Sequence, residues 1–151
     1  MRILAVDVGC KTGWAASVDG TIESGVHKFE LDRGESPGIR FLRFNAWLDN
    51  IFAIIKPDMV IAEQAHHRGG YATDVLVGML TRLQEKCAKE KVEYMSCHSA
   101  TLKKFATGSG RADKVGMMKA AWERRPGYLF KTDDEADAYL LLCYAKVRID
   151  Q

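Results

Sequence analysis

The sequence predicts an α/β layered fold around one mixed, five-stranded sheet, and three observations predict it. Arg2 to Gly9 is a short apolar run that ends in a single Asp and a Gly, as in a central strand buried on both faces. Asp19-Gly20 separates two strand-like runs, the strongest short-range signal for a hairpin. Beyond residue 38, helical and strand-like patterns alternate, and helical crossovers make the later strands parallel to the first.

In the first strand Asp7 interrupts an otherwise apolar run. Burying an unpaired carboxylate is costly, so Asp7 is assigned to the strand's carboxyl end, facing a cleft. Taken alone, an Asp there serves equally well to open a turn. Trp14 to Val18 and Thr21 to Glu30 are the arms of the hairpin and complete a three-stranded antiparallel meander. After a polar loop, Ser36-Pro37 reads as an N-cap with Pro at the first helical position. Phe41, Phe44, Leu48, Ile51, Phe52 and Ile55 then recur at helical spacing, so residues 39–55 are an amphipathic helix covering the sheet. Pro57 stops it, and Asp58 to Glu63 is a second short apolar strand that ends in an acid. A glycine-containing loop, residues 64–70, leads to a helix over residues 73–89. Its stripe is Val75, Leu76, Met79, Leu80, Leu83 and Cys87, and a mid-helix Gly78 marks close packing. Val92 to Ser96 is the fifth strand and Ser99 to Phe105 a short helix. The loop Thr107-Gly108-Ser109-Gly110 opens a basic segment that runs to Arg125, and Pro126-Gly127 breaks the chain before a last helix over residues 133–146.

The 151 residues are read as one domain, 1–151, long enough for a real core. Hydrophobic content of 47% and charged content of 28% are those of a globular protein, and a net charge of +2 leaves nucleic acid and small molecules both open as partners. The first residues read as a core strand rather than a signal peptide, and no apolar stretch is long enough to span a bilayer. Cys10, Cys87, Cys97 and Cys143 lack CxxC spacing, which argues against a zinc site or disulfide framework. The expected location is cytoplasmic, or the host cytoplasm for a viral protein.

Four acids carry the chemistry. Asp7 and Glu63 each end an apolar strand, and parallel neighbours bring such ends together where α/β ligand sites form. Thr132 and Glu135 have capping-box spacing, so Thr132 caps the last helix and Glu135 belongs to the cap. Asp134 and Asp137 are then i,i+3 neighbours on one helical face. The helix dipole accounts for Asp133 and for an acid at 134. It does not account for Asp137, a turn further in among Ala136, Ala138 and Leu140. Clustered acids without matching Lys or Arg suit hard divalent cations. Two ions about 3.5–4 Å apart activate a water and stabilise a leaving phosphodiester oxygen.

Val6-Asp7-Val8-Gly9, Ile61-Ala62-Glu63-Gln64, Thr107-Gly108-Ser109-Gly110-Arg111-Ala112-Asp113-Lys114 and Asp134-Glu135-Ala136-Asp137-Ala138 together resemble the RuvC Holliday junction resolvases, in order over essentially the whole chain. The resemblance implies a ribonuclease H-like fold and a homodimeric, Mg²⁺-dependent endonuclease (Mn²⁺ as a substitute) that cuts two strands of a four-way DNA junction. It implies Asp7, Glu63, Asp134 and Asp137 as ligands of two ions, and Lys103 and Lys114 as basic residues near the scissile phosphate. It also makes the Gly78 helix a dimer face. Val8 stands where the bacterial enzymes usually have Pro. The loop after Gln64 reads Ala65-His66-His67-Arg68-Gly69-Gly70-Tyr71, with His66 or Tyr71 in place of the family's stacking aromatic. These departures point to a phage or viral branch with broader branched-DNA substrates.

The basic residues Lys103, Lys104, Arg111 and Lys114 beside the glycine loop, with His66, Arg68 and Tyr71 in the loop after Glu63, form the expected DNA-binding set. Lys119 and Arg124 are assigned to a solvated helix face, His27 and His98 to structure, and Trp14, Trp47 and Trp122 to the core or its edge. A ribonuclease H-like nuclease acting on RNA shares the acids and is the alternative function. An actin-like nucleotide-binding module requires a second phosphate loop and a second lobe, for which the chain is too short. A DNA-binding protein without catalysis is disfavoured because all four acids are present.

Overall fold

The computed structural model describes residues 1–65 and 69–151. β1 (Ile3–Asp7), β2 (Lys11–Val18) and β3 (Thr21–Lys28) form the antiparallel meander, and β4 (Met59–Glu63) and β5 (Glu93–Cys97) extend it in parallel with β1. The sheet order is β3-β2-β1-β4-β5, the mixed five-stranded arrangement expected. Among the described residues five helices flank it: α1 (Gly38–Ile55), α2 (Gly70–Glu90), α3 (Ser99–Thr107), α4 (Lys114–Arg124) and α5 (Asp133–Ile149).

β1 sits mid-sheet with both faces covered, which is why its apolar residues run continuously. Leu4 and Val6 pack with Phe44, Leu48 and Met79 of α1 and α2. Ile3 and Ala5 pack on the other face with Leu102, Leu140 and Leu141 of α3 and α5. The two-residue period of a strand therefore fixes the face of its terminal acid: Asp7, in step with Ile3 and Ala5, belongs to the α5 face. Glu63 belongs to the same face, two residues beyond Ile61.

Local details differ from expectation in four places. α1 starts at Gly38 with Pro37 as its cap, so Pro lies one position earlier in the helix than expected. The first turn is closed by backbone bonds, including Ile39 N–H to the Ser36 carbonyl at 3.1 Å, without a side-chain cap. α2 begins at Gly70, a turn before its apolar stripe. The basic segment before Arg125 holds a helix, α4, capped by the Asp113 carboxylate, which accepts from Gly116 N–H at 2.8 Å. Only Met117, Ala120 and Ala121 of α4 are buried, and so narrow a stripe beside Gly116 carries little helical signal. Finally, the close packing at Gly78 is within the chain: a Cβ there would lie 2.7 Å from the Phe41 ring of α1. Val75, Met79, Leu80, Leu83 and Cys87 are buried in the same core, so this stripe is not a free dimer face. Among the described residues, no helix is long and apolar enough to cross a membrane.

Candidate active site

The site is assembled from three elements on one side of the sheet. β1 and β4 are parallel neighbours in register from Ile3↔Met59 to Val6↔Ala62, so Asp7 and Glu63 emerge side by side at their carboxyl ends. α5 supplies the rest, and it lies very close to the sheet. A Cβ on Gly13 of β2 would stand 2.0 Å from the Asp134 carbonyl oxygen and 2.8 Å from the Glu135 nitrogen. Gly13 is the cross-strand partner of Asp7, so this bare strand position seats the first turn of α5 against the acid of β1.

The acids feel one another strongly. Burial pushes the Asp7 carboxyl well above the usual carboxylate range, and the charges of Asp137, Glu63, Asp134 and Asp133 push it further. Asp137 is pushed up to about 7, by burial first and then by Glu63, Asp133 and Asp134. Asp134 is raised by burial and by Asp133, against the opposing pull of Lys114 and Lys11, and stands within hydrogen-bonding reach of Asp7. Among the described residues no three His, Cys, Asp or Glu side chains converge tightly enough to grip an ion. The donor set nevertheless has the chemistry of a hard-cation site: carboxylate oxygens only, crowded together.

The basic residues divide. Lys103, half-buried on α3, lies near enough to Asp137 to lower its pKa. Lys114, at the start of α4, pairs with Asp133 at 3.3 Å. The turn before it is fixed by Thr107 Oγ1, which donates to the Lys103 carbonyl at 2.9 Å, and by the left-handed Gly108. Lys104 and Arg111 are exposed nearby. Tyr71 is not gathered with the acids. It is exposed in the first turn of α2, and its hydroxyl accepts from Arg40 of α1, on the opposite side of the sheet from Asp7. His66 and Arg68 lie outside the described residues. Arg124 is not a free solvated cation: it donates to the Ala106 carbonyl at 3.0 Å and the Phe105 carbonyl at 3.3 Å, closing the end of α3.

Glu135 does more than the cap spacing implied. Thr132 Oγ1 accepts from Glu135 N–H at 3.2 Å, as a cap should. The Glu135 carboxylate, however, is fully buried and accepts from Lys131 N–H at 2.7 Å, Ser24 Oγ at 2.6 Å and the Tyr128 hydroxyl. Arg125 donates to Ser24 Oγ at 2.7 Å and lies 3.5 Å over the Tyr128 ring. Burial raises the Glu135 pKa, but these hydrogen bonds and Arg125 outweigh it and lower it overall. The network ties β3 to the start of α5. Glu135→Gln, which replaces one accepting oxygen by a donor, should cost roughly 1–3 kcal/mol in urea unfolding. Tyr128→Phe should cost about 1 kcal/mol.

Sheet order, a meander followed by two parallel strands, and flanking helices together define the ribonuclease H-like architecture of the Holliday junction resolvases. RuvC of Thermus thermophilus in complex with a Holliday junction substrate superposes with a TM-score of 0.80, covering 98% of this chain and 96% of its own at 17% identity. The yeast mitochondrial Holliday junction resolvase Ydc2 gives a TM-score of 0.64 over 92% of this chain and 75% of its own, at 15% identity. The fowlpox virus resolvase with substrate Holliday junction DNA gives 0.62 over 99% of each chain, at 14% identity. At such identities the likeness is one of fold. No protein-family model matches the sequence, and no curated protein matches it in sequence.

Proposed function

We propose that the protein is a metal-dependent, structure-selective endonuclease that resolves four-way DNA junctions, and other branched DNA, by phosphodiester hydrolysis. The observation that carries this reading is the gathering of Asp7, Glu63, Asp134 and Asp137 at one end of a resolvase-like sheet, where burial and the neighbouring carboxylates push the Asp7 and Asp137 carboxyls up. Two Mg²⁺ ions, or Mn²⁺, fit this all-oxygen donor set, held by Asp7, Glu63, Asp134 and Asp137. When bound they supply an activated water and charge stabilisation for the leaving oxygen.

The chain's own cations hold the substrate. Lys103 and Lys114 face the acids from α3 and α4 and bind the reacting phosphate, and Lys104 and Arg111 take neighbouring phosphates of the backbone. The exposed positions of Lys104, Arg111 and Lys114 leave them free to move. The Lys114 side chain is 87% exposed, and an exposed pair such as Lys114–Asp133 contributes little stability, so Lys114 exchanges it readily for a phosphate. A homodimer supplies the two sites that paired cuts in strands of like polarity require. Because the Val75–Leu83 stripe is buried within the chain, a two-fold contact through α2 would use the other faces of that helix.

The reading is tested by incubating the protein with Mg²⁺ and labelled four-way junction, fork, duplex and RNA–DNA hybrid. Cleavage of the junction into nicked duplexes is expected. Preference for the hybrid would favour RNA processing instead, and no cleavage of any substrate would overturn the nuclease. Lys114→Ala should slow single-turnover cleavage about 100-fold while weakening junction binding only a fewfold, since the contact matters most where charge develops at the reacting phosphate. Equal losses in both would argue against that role.

A further inference from the structure

The carboxylates have a cationic flank on the β2–β3 side as well. Lys11 and Lys28 are direct cross-strand partners at the end of the meander, so their side chains share a face. The register is pinned on both sides, by Thr12↔His27 within the ladder and by Phe29 N–H to the Cys10 carbonyl at 2.7 Å beyond it. The two ammonium groups cannot slip apart by a change of pairing. Like charges directly opposite destabilise a sheet, and among the described residues neither lysine has an ion-pair partner to offset this. Both Lys11 and Lys28 are exposed.

Their face is the one the acids occupy. Lys11 is in step with Gly13, whose α-carbon abuts the first turn of α5, and with Ala15, buried in the same core as Leu140 and Leu141. Lys11 thus stands beyond the N-terminal turn of α5, close enough for its charge to act on Asp134. Lys103 and Lys114 act on Asp137 and Asp134 from α3 and α4. The acids therefore have basic neighbours on β2 as well as on α3 and α4.

We infer that Lys11 and Lys28 form a further phosphate-contact point for the nucleic-acid backbone, on the meander beside the acidic site. The identity of the anion rests on the proposed nuclease function. The cross-strand repulsion is relieved when a backbone phosphate sits between the two ammonium groups.

The test is fluorescence anisotropy of a labelled four-way junction in EDTA over a series of salt concentrations. It compares the wild type, the double variants K11A/K28A and K11R/K28R, and K89A/K91A. The last makes the same charge change at the opposite end of the sheet, before β5. K11A/K28A should bind about tenfold more weakly near physiological salt, and its plot of log Kd against log salt should flatten by about 0.9 for each phosphate no longer neutralised. K11R/K28R should keep the wild-type slope, and K89A/K91A should match the wild type. Without DNA, K11A/K28A should melt no lower than the wild type, which separates weaker phosphate binding from unfolding. A wild-type slope in K11A/K28A, or an equal loss in K89A/K91A, overturns the inference while leaving the nuclease intact. A wild type that binds no nucleic acid overturns both.

Discussion

Asp7→Asn should abolish cleavage and, in the absence of divalent cations, make the protein more stable. The substitution keeps the shape of the side chain and removes the charge on which the site converges. On the proposed function Asp7 is a central metal ligand, and its loss should then slow single-turnover cleavage about 10³-fold or more, about 4 kcal/mol of barrier. Folding gains because Asp7 is held well above its ordinary pKa by burial and by Asp137, Glu63, Asp134 and Asp133. The same holds for Asp137, raised from 3.8 to about 7. Between those two values the folded protein keeps a proton that the unfolded chain has released. The Asp137 contribution to stability is therefore fully present below the lower value, falls as pH rises through the window and is lost above about 7. In EDTA the wild-type Tm should drop by several degrees between about pH 5 and about pH 8, and Mg²⁺ should restore it at the upper end. Asp7→Asn should flatten that drop. Junction affinity without metal should be unchanged or higher, because one fewer negative charge faces the phosphate. Full cleavage by Asp7→Asn, or a Tm that rises with pH in EDTA, would place the acidic centre elsewhere.

How legible the fold and site were depends on where the determining contacts lie along the chain. The strand order was written in local signals: the Asp19-Gly20 turn, the apolar runs of β1 and β4, and the helical spacing of α1. The placement of the acids followed from strand period and parallel pairing, both readable once the runs were found. What was not readable depends on contacts between distant residues. Glu135 has the spacing of a cap residue, but its partners Ser24 and Tyr128 come from β3 and the loop before α5, and no local pattern announces them. Gly78 does mark close packing, yet the sequence does not say that its neighbour is Phe41 of the same chain rather than a second copy. Lys11 and Lys28 are unremarkable among 22 Lys and Arg residues until the register sets them opposite each other. α4 was hidden because its narrow buried face is interrupted by polar and basic residues.

Gly13→Ala should be among the most damaging single-methyl changes in the molecule. Gly13 has ordinary strand backbone, so its requirement is space rather than conformational freedom. The added Cβ would fall 2.0 Å from the Asp134 carbonyl oxygen, 2.3 Å from its carbon and 2.8 Å from the Glu135 nitrogen. These are backbone atoms, so no rotamer change relieves the clash, and α5 itself must lift or rotate. That movement strains the Glu135 network and carries Asp134 and Asp137 away from Asp7. The expected cost is about 3 kcal/mol or more of stability. In whatever fraction folds, cleavage should fall at least 10²-fold, on the order expected for a misplacement of about 1 Å. Gly25→Ala is the matched comparison. Its Cβ would meet the Trp14 ring at 3.0 Å, and a half-buried side chain can shift where a helix backbone cannot. That variant should lose only about 1 kcal/mol and keep most of its activity. Urea unfolding and single-turnover cleavage of the two variants decide the matter. If Gly13→Ala unfolds and cuts like the wild type, α5 is not seated on β2 through this glycine, and the arrangement of the four acids derived from it is wrong.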